Sequence, residues 1–321
     1  MHHMFLILLI NLVTEGSSEP SIFFLPMKVY NYDNISSIVA YGNITNTDVI
    51  EDIVTKRISL DMDADRIQKK NVLYIICGCG GLVSFDEDSI MSDFISLDSF
   101  LNETNSYVHL IRGTEDNPIL FKGYEFPHKR IVLTQDCSVI KTDDSVLLCV
   151  GGGFSYNRDW KERHEKLYGK KMLFDNEGVD INEKELIDEA QNLIDVTDVV
   201  TFSSPSFVGL SKDDVLEISH VNNNNELLMT SMGSRLALDR LYSTLLVTAP
   251  NLKNWFYVQK RDDSYGINLN SIEFTPLWKS PVIIANHANG TKKNANGDDE
   301  WDPMDGEDMD GEDYDVADFE F

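Results

Sequence analysis

The sequence predicts an α/β protein built on buried, partly parallel sheets. Short runs rich in Val, Ile and Leu recur along the chain, and several end directly in glycine or a glycine-containing turn. Stretches with apolar residues at helical spacing lie between them. That alternation is the third sign, because parallel strands need a crossover segment between them.

From residue 37 onward the predicted strands are Ser37–Tyr41, Val72–Cys77, Tyr107–Ile111, Ile131–Leu133, Val146–Val150 and Val199–Phe202. Asp48–Ile58 and Lys184–Ile194 carry the helical spacing, the second after a run of acidic residues that suits a helix N-terminus. No internal repeat occurs in this region. In a fold of this class the loops at the strand C-termini host the chemistry.

Composition narrows the function classes. The chain has 321 residues, 42 % of them hydrophobic, which is ample for a sizeable core and excludes global disorder. Lys and Arg number 27 against 54 Asp and Glu, a net charge of −27. Nucleic-acid backbones are bound by neutralising phosphates, so no broad nucleic-acid surface is expected. Residues 298–321 hold 13 of the acids and no Lys or Arg, so almost half of the excess belongs to a tail. Four cysteines (Cys77, Cys79, Cys137, Cys149) are too few for a disulfide scaffold. The Cys77-x-Cys79 pair would ligate a soft metal only if other thiolates converged on it; reduced, mostly buried thiols are the simpler reading.

Met4 to Val13 is an apolar run too short to span a bilayer. As a signal-peptide core it would make acceptors of Asn34, Asn43, Asn102 and Asn289, each in an Asn-x-Ser/Thr triplet. His2 and His3 stand where Lys or Arg belongs, however, and the segment after Thr14 offers no small-residue cleavage site. A strand or partner-contacting arm is the better reading, with a virion or cytoplasmic location ahead of secretion. The domain plan is therefore an apolar arm (1–35), an α/β domain (36–285) and an acidic tail (286–321).

The strand-end loops carry a resemblance. In order they are Gly42-Asn-Ile-Thr-Asn46, Gly78-Cys-Gly-Gly-Leu-Val83 and Ile111-Arg-Gly-Thr-Glu-Asp-Asn-Pro118. Then come the Leu148–Trp160 segment (LCVGGGFSYNRDW), the Val199–Phe207 segment (VVTFSSPSF) and the Asn254–Arg261 segment (NWFYVQKR). This series resembles the calcineurin-like metallophosphoesterases, above all small members from bacteria and phages, over about residues 36–285. It is strongest in R-G-x-x-D-N-P and L-C-V-G-G. The resemblance implies an αββα sandwich of two mixed sheets flanked by helices, and a pair of divalent metals that activates a water for attack on phosphorus.

The departures from the pattern decide the expected function. The family's first Asp and His correspond to Asn43 and Thr45, and its bridging Asp to Cys79. The Asn and catalytic His of the third motif correspond to Thr114 and Glu115. A further His corresponds to Phe202, and the last two to Gln259 and Arg261. Asp116 matches, yet the His it would support is gone. All seven histidines (His2, His3, His109, His128, His164, His220, His287) lie outside the ligand positions. A single hard cation gathered by Asn43, Cys79, Glu115 and Asp116 is a weak alternative, since Arg261 would repel it or pair with Glu115 or Asp116. No cofactor and no metal are expected.

Other chemistries find no motif. Gly151-Gly-Gly153 lacks the Lys-Ser/Thr of a phosphate loop, and no G-x-S-x-G element occurs. In the tail, Met304-Asp-Gly-Glu-Asp308 is repeated at once as Met309-Asp-Gly-Glu-Asp313, and Trp301, Tyr314, Phe319 and Phe321 stand among the acids. Spaced aromatics suit a segment that orders against a basic groove with apolar pockets; a disordered solubilising tail is the plainer reading. The expected function is a catalytically inactive structural or assembly module, with protein partners met through the arm and the tail and a phage virion as its setting. The alternative is a regulatory pseudoenzyme that holds a nucleotide or phosphorylated ligand through Arg112, Lys260 or Arg261.

Overall fold

In the computed structural model the described residues are 27–42, 50–64, 66–78, 94–114, 116–122, 126–153, 158–169, 173, 177–179, 181, 183–208, 225–258, 267–277 and 281–286. Twelve strands are described among them: β1 Val29–Asn31, β2 Ser37–Gly42, β3 Val72–Cys77, β4 Tyr107–Ile111, β5 Ile131–Leu133, β6 Ser138–Lys141, β7 Val146–Val150, β8 Asp198–Thr201, β9 Asn254–Val258, β10 Ile267–Leu269, β11 Ile272–Leu277 and β12 Val282–Asn286. The described helices are α1 Ile50–Asp63, α2 Ile95–Glu103, α3 Arg158–Tyr168, α4 Glu183–Asp188, α5 Ala190–Leu193 and α6 Asn225–Thr248.

Two mixed sheets result. One runs β1-β6-β7-β8-β9-β11-β10 and the other β12-β2-β3-β4-β5. The middle of each is parallel, and antiparallel strands join at β6–β7, β10–β11 and β12–β2. Period-two alternation then sorts the side chains into three cores. On β3, Val72, Tyr74 and Ile76 face α1 and α2, whereas Leu73, Ile75 and Cys77 face the other sheet. On β7, Leu148 and Val150 pack toward α4, α5 and α6, and Leu147 and Cys149 return to the space between the sheets. The order helices, sheet, sheet, helices is the sandwich the resemblance implied.

All six expected strands are present. Five match the expected bounds or extend by one residue, and the sixth is Asp198–Thr201 rather than Val199–Phe202, which places Phe202 just past the strand end. The helix expected at Asp48–Ile58 is described from Ile50 and continues to Asp63. The one expected at Lys184–Ile194 is broken at Glu189, whose φ −95°, ψ 13° turn the chain between α4 and α5. Leu186 and Leu193 are both buried against the first sheet, and the break lets two short helices share that task.

Several elements gave no sequence signal. β10 and β11 form a hairpin whose two turn residues, Asn270 and Ser271, both have positive φ (53° and 66°). That is the two-residue turn matching strand twist, but Asn-Ser lacks the glycine that announces it. No described helix is long and apolar enough to cross a membrane.

Candidate functional site

The parallel strands bring their C-terminal ends together. In one sheet Gly42, Cys77 and Ile111 are in register, and in the other Val150, Thr201 and Tyr257. The loops that leave these ends meet across the sandwich. Within one sheet the Gly78 N–H donates to the Ile111 carbonyl at 3.0 Å, and between the sheets the Gly152 N–H donates to the Arg112 carbonyl at 2.8 Å. At Gly42 a Cβ would lie 2.6 Å from the Leu277 backbone, so only glycine lets β2 pass there.

Phe202 fills the centre of this meeting point. Its ring lies where a Cβ at Gly78 would be 2.5 Å away, where one at Gly113 would be 3.1 Å away and where one at Gly153 would be 2.9 Å away. Gly78 also has φ +80°, a left-handed conformation that side-chain-bearing residues rarely adopt. Three glycines from three different strand-end loops thus accommodate one aromatic ring.

Next to it the backbone of Gly113 and Thr114 is held by two buried side chains. The Asp116 carboxylate, fully buried, accepts from the Gly113 N–H at 2.6 Å. The Thr114 carbonyl accepts from Lys161 Nζ on α3 at 3.3 Å, and Lys161 too is fully buried. Thr114 therefore offers its backbone to an internal lysine. Glu115, Asn43, Thr45, Cys79, Gln259, Lys260 and Arg261 lie outside the described residues, as do Trp301, Tyr314, Phe319 and Phe321 and the apolar run 4–13.

Arg112 corrects one expectation. Its guanidinium is buried rather than open to a ligand: Nε and Nη2 donate to Asp136 Oδ2 at 2.9 and 2.7 Å, Nη1 to the Glu177 carbonyl at 2.8 Å and Nη2 to the Gly178 carbonyl at 3.0 Å. The planar fork ties three segments together, a geometry lysine cannot reproduce. R-G-x-x-D-N-P advertised this arginine, but its partners Asp136 and Glu177 carry no sequence signal.

Cys77 and Cys149 are free, buried thiols on the facing strands β3 and β7. Burial pushes both well above the ordinary thiol range, with Cys149 and Asp116 adding to the rise at Cys77; protonated thiols are poor metal ligands and poor nucleophiles. Among the described residues no group of three or more His, Cys, Asp and Glu gathers as a metal site. His109 was not singled out by sequence reasoning. It is fully buried on β4, with Tyr32 Oη 2.6 Å from Nε2 and Thr134 Oγ1 2.9 Å from Nδ1, and with the Tyr30 and Tyr32 rings set edge-on to it. Burial, with a smaller contribution from the charge of Lys28, lowers its pKa to about 3, so the ring is neutral.

The class these observations define is a four-layer α/β sandwich with its strand-end loops packed around an aromatic ring. No family model matches the chain. No curated protein sequence matches it either. Solved structures of phosphatases do: a cold-active protein tyrosine phosphatase aligns at 13 % identity over 78 % of this chain and 72 % of its own, with a TM-score of 0.30. The cold-active protein tyrosine phosphatase of a psychrophilic Shewanella species aligns at 14 % identity over 58 % and 71 %, with a TM-score of 0.26. The fold assignment itself rests on strand order and layering.

Proposed function

We propose that the chain is a catalytically inactive metallophosphoesterase-like protein, retained as a structural or assembly module, with a phage particle as its setting. The observation that carries this reading is Phe202. An apolar ring packed among Gly78, Gly113 and Gly153 takes up the space where the resemblance calls for a metal-binding imidazole. Hydrophobic packing there holds the loops together without a metal, and a two-metal clamp needs those loops to present ligands inward. The residues standing at the other ligand positions, Asn43, Thr45, Cys79, Thr114, Glu115, Gln259 and Arg261, agree with this. The setting rests on the resemblance to phage-encoded members, and the docking segments on the apolar arm and the acidic, aromatic-bearing tail.

The alternative, a pseudoenzyme that holds a phosphorylated ligand in the old cleft, loses its best cation because Arg112 is engaged internally. The test is metal content after purification with added manganese, with phosphodiester hydrolysis measured on the same sample. Substoichiometric metal and no turnover are expected. Metal near two equivalents with turnover would overturn the reading.

A further inference from the structure

Helix α6 has two apolar faces. Leu238, Leu241, Tyr242 and Leu245 are buried against the first sheet. On the opposite side Met232, Leu236, Leu246 and Val247 are 43–62 % exposed, with Gly233, Arg240 and Ser243 exposed among them. Ile187 on α4 and Ile194 just past the end of α5, both beside α6, are exposed as well. A contiguous row of this kind on a helix is an interaction surface rather than a scatter of single exposed residues.

The row is self-complementary. When two copies of a helix pack antiparallel about a two-fold axis, residues i and j face each other wherever their numbers add to one constant. With the axis between Asp239 and Arg240, Met232 faces Val247 of the second copy, Gly233 faces Leu246, Leu236 faces Ser243 and Asp239 faces Arg240. Apolar and small side chains meet at both ends, and opposite charges meet twice at the centre. Shifting the register by one residue in either direction sets Asp239 against Asp239 or Arg240 against Arg240. Asp239 already accepts from the Ser206 N–H and hydroxyl, which holds its carboxylate at the helix surface.

We propose that the outward face of α6 is the interface of a symmetric homodimer, in which two α6 helices pack antiparallel about an axis between Asp239 and Arg240. This proposal rests on α6 alone and is independent of the functional reading above. The partner is a second copy because under that symmetry the central charges and the apolar ends of this one face complement each other.

The experiment is sedimentation equilibrium of the full chain at about 150 mM salt, where screening over about 8 Å limits repulsion between two acidic chains. The expected mass is twice the 36.4 kDa of the chain. Leu236→Glu and Arg240→Asp, both at exposed positions, should each weaken the dimer by about tenfold or more with unchanged circular dichroism. Leu236→Cys/Ser243→Cys should oxidise to a covalent dimer beyond the level of the parent chain, and Leu236→Cys/Val247→Cys should not. A monomer throughout, a dimer that survives both charge substitutions, or equal cross-linking by the two cysteine pairs would overturn the proposal.

Discussion

Arg112 and Asp136 meet through two hydrogen bonds on a single carboxylate oxygen, from Nε at 2.9 Å and from Nη2 at 2.7 Å, with the guanidinium fully buried. This pair joins the loop after β4 to the segment before β6, and so links the two sheets at the end where the loops converge. Removing one partner of a buried pair leaves the other charge uncompensated, which costs about 3–5 kcal/mol. Arg112→Ala and Asp136→Ala should each lower stability by that amount in urea denaturation. Arg112→Lys should recover little, since an ammonium cannot reach Asp136 and the carbonyls of Glu177 and Gly178 from one position.

Gly78 and Phe202 are expected to be energetically coupled. Gly78→Ala introduces a Cβ against the Phe202 ring on a backbone with φ +80°, and should destabilise by roughly 2–4 kcal/mol from overpacking and left-handed strain together. In the Phe202→Ala background the steric part disappears, so that Gly78→Ala there costs only about 1–2 kcal/mol of backbone strain. A double-mutant cycle by denaturation measures this; additive effects would place the ring elsewhere.

His109 should make stability depend on pH. In the unfolded chain the imidazole titrates near its ordinary 6.5, and in the folded chain near 3. As pH falls the unfolded state takes up the proton first, so the contribution is complete above about 6.5 and is lost progressively toward about 3. Between pH 7 and pH 5 the loss amounts to about 2 kcal/mol. His109→Gln should be less stable at pH 7 but show a shallower decline over that interval, read from urea midpoints at the two pH values.

The loop after β8 is held by α6. Arg235 donates to the carbonyls of Ser204, Pro205, Ser206 and Val208, and Asp239 accepts from Ser206. Arg235→Ala should release this loop, with faster amide exchange or proteolytic nicking at residues 203–208. Phe207 should lose its contacts with Tyr242 and Phe274 there.

How much was legible from sequence followed a physical pattern. Central strands such as Val72–Cys77 and Val146–Val150 announced themselves because both faces are buried, which demands an unbroken apolar run. Helix α3 did not, because its sequence is dominated by charges and its one buried anchor among the described side chains is Lys161. Helix α6 escaped notice for the opposite reason: with apolar residues inward and outward, no single stripe stands out. At the site, the glycines and Phe202 could be read as motif positions, whereas the buried charges around Arg112 could not. Their partners come from segments 24 to 66 residues away.

The sequence by itself determined the fold class and the places where strands end in glycine. Each of these is local, written in runs, spacings and residue identities along the chain. Only the tertiary structure decided that the Phe202 ring packs among three glycines, that Arg112 is spent on Asp136 and two carbonyls, and that α6 keeps a second apolar face exposed. Those outcomes depend on which distant segments meet, and burial and pairing across the two sheets settle that.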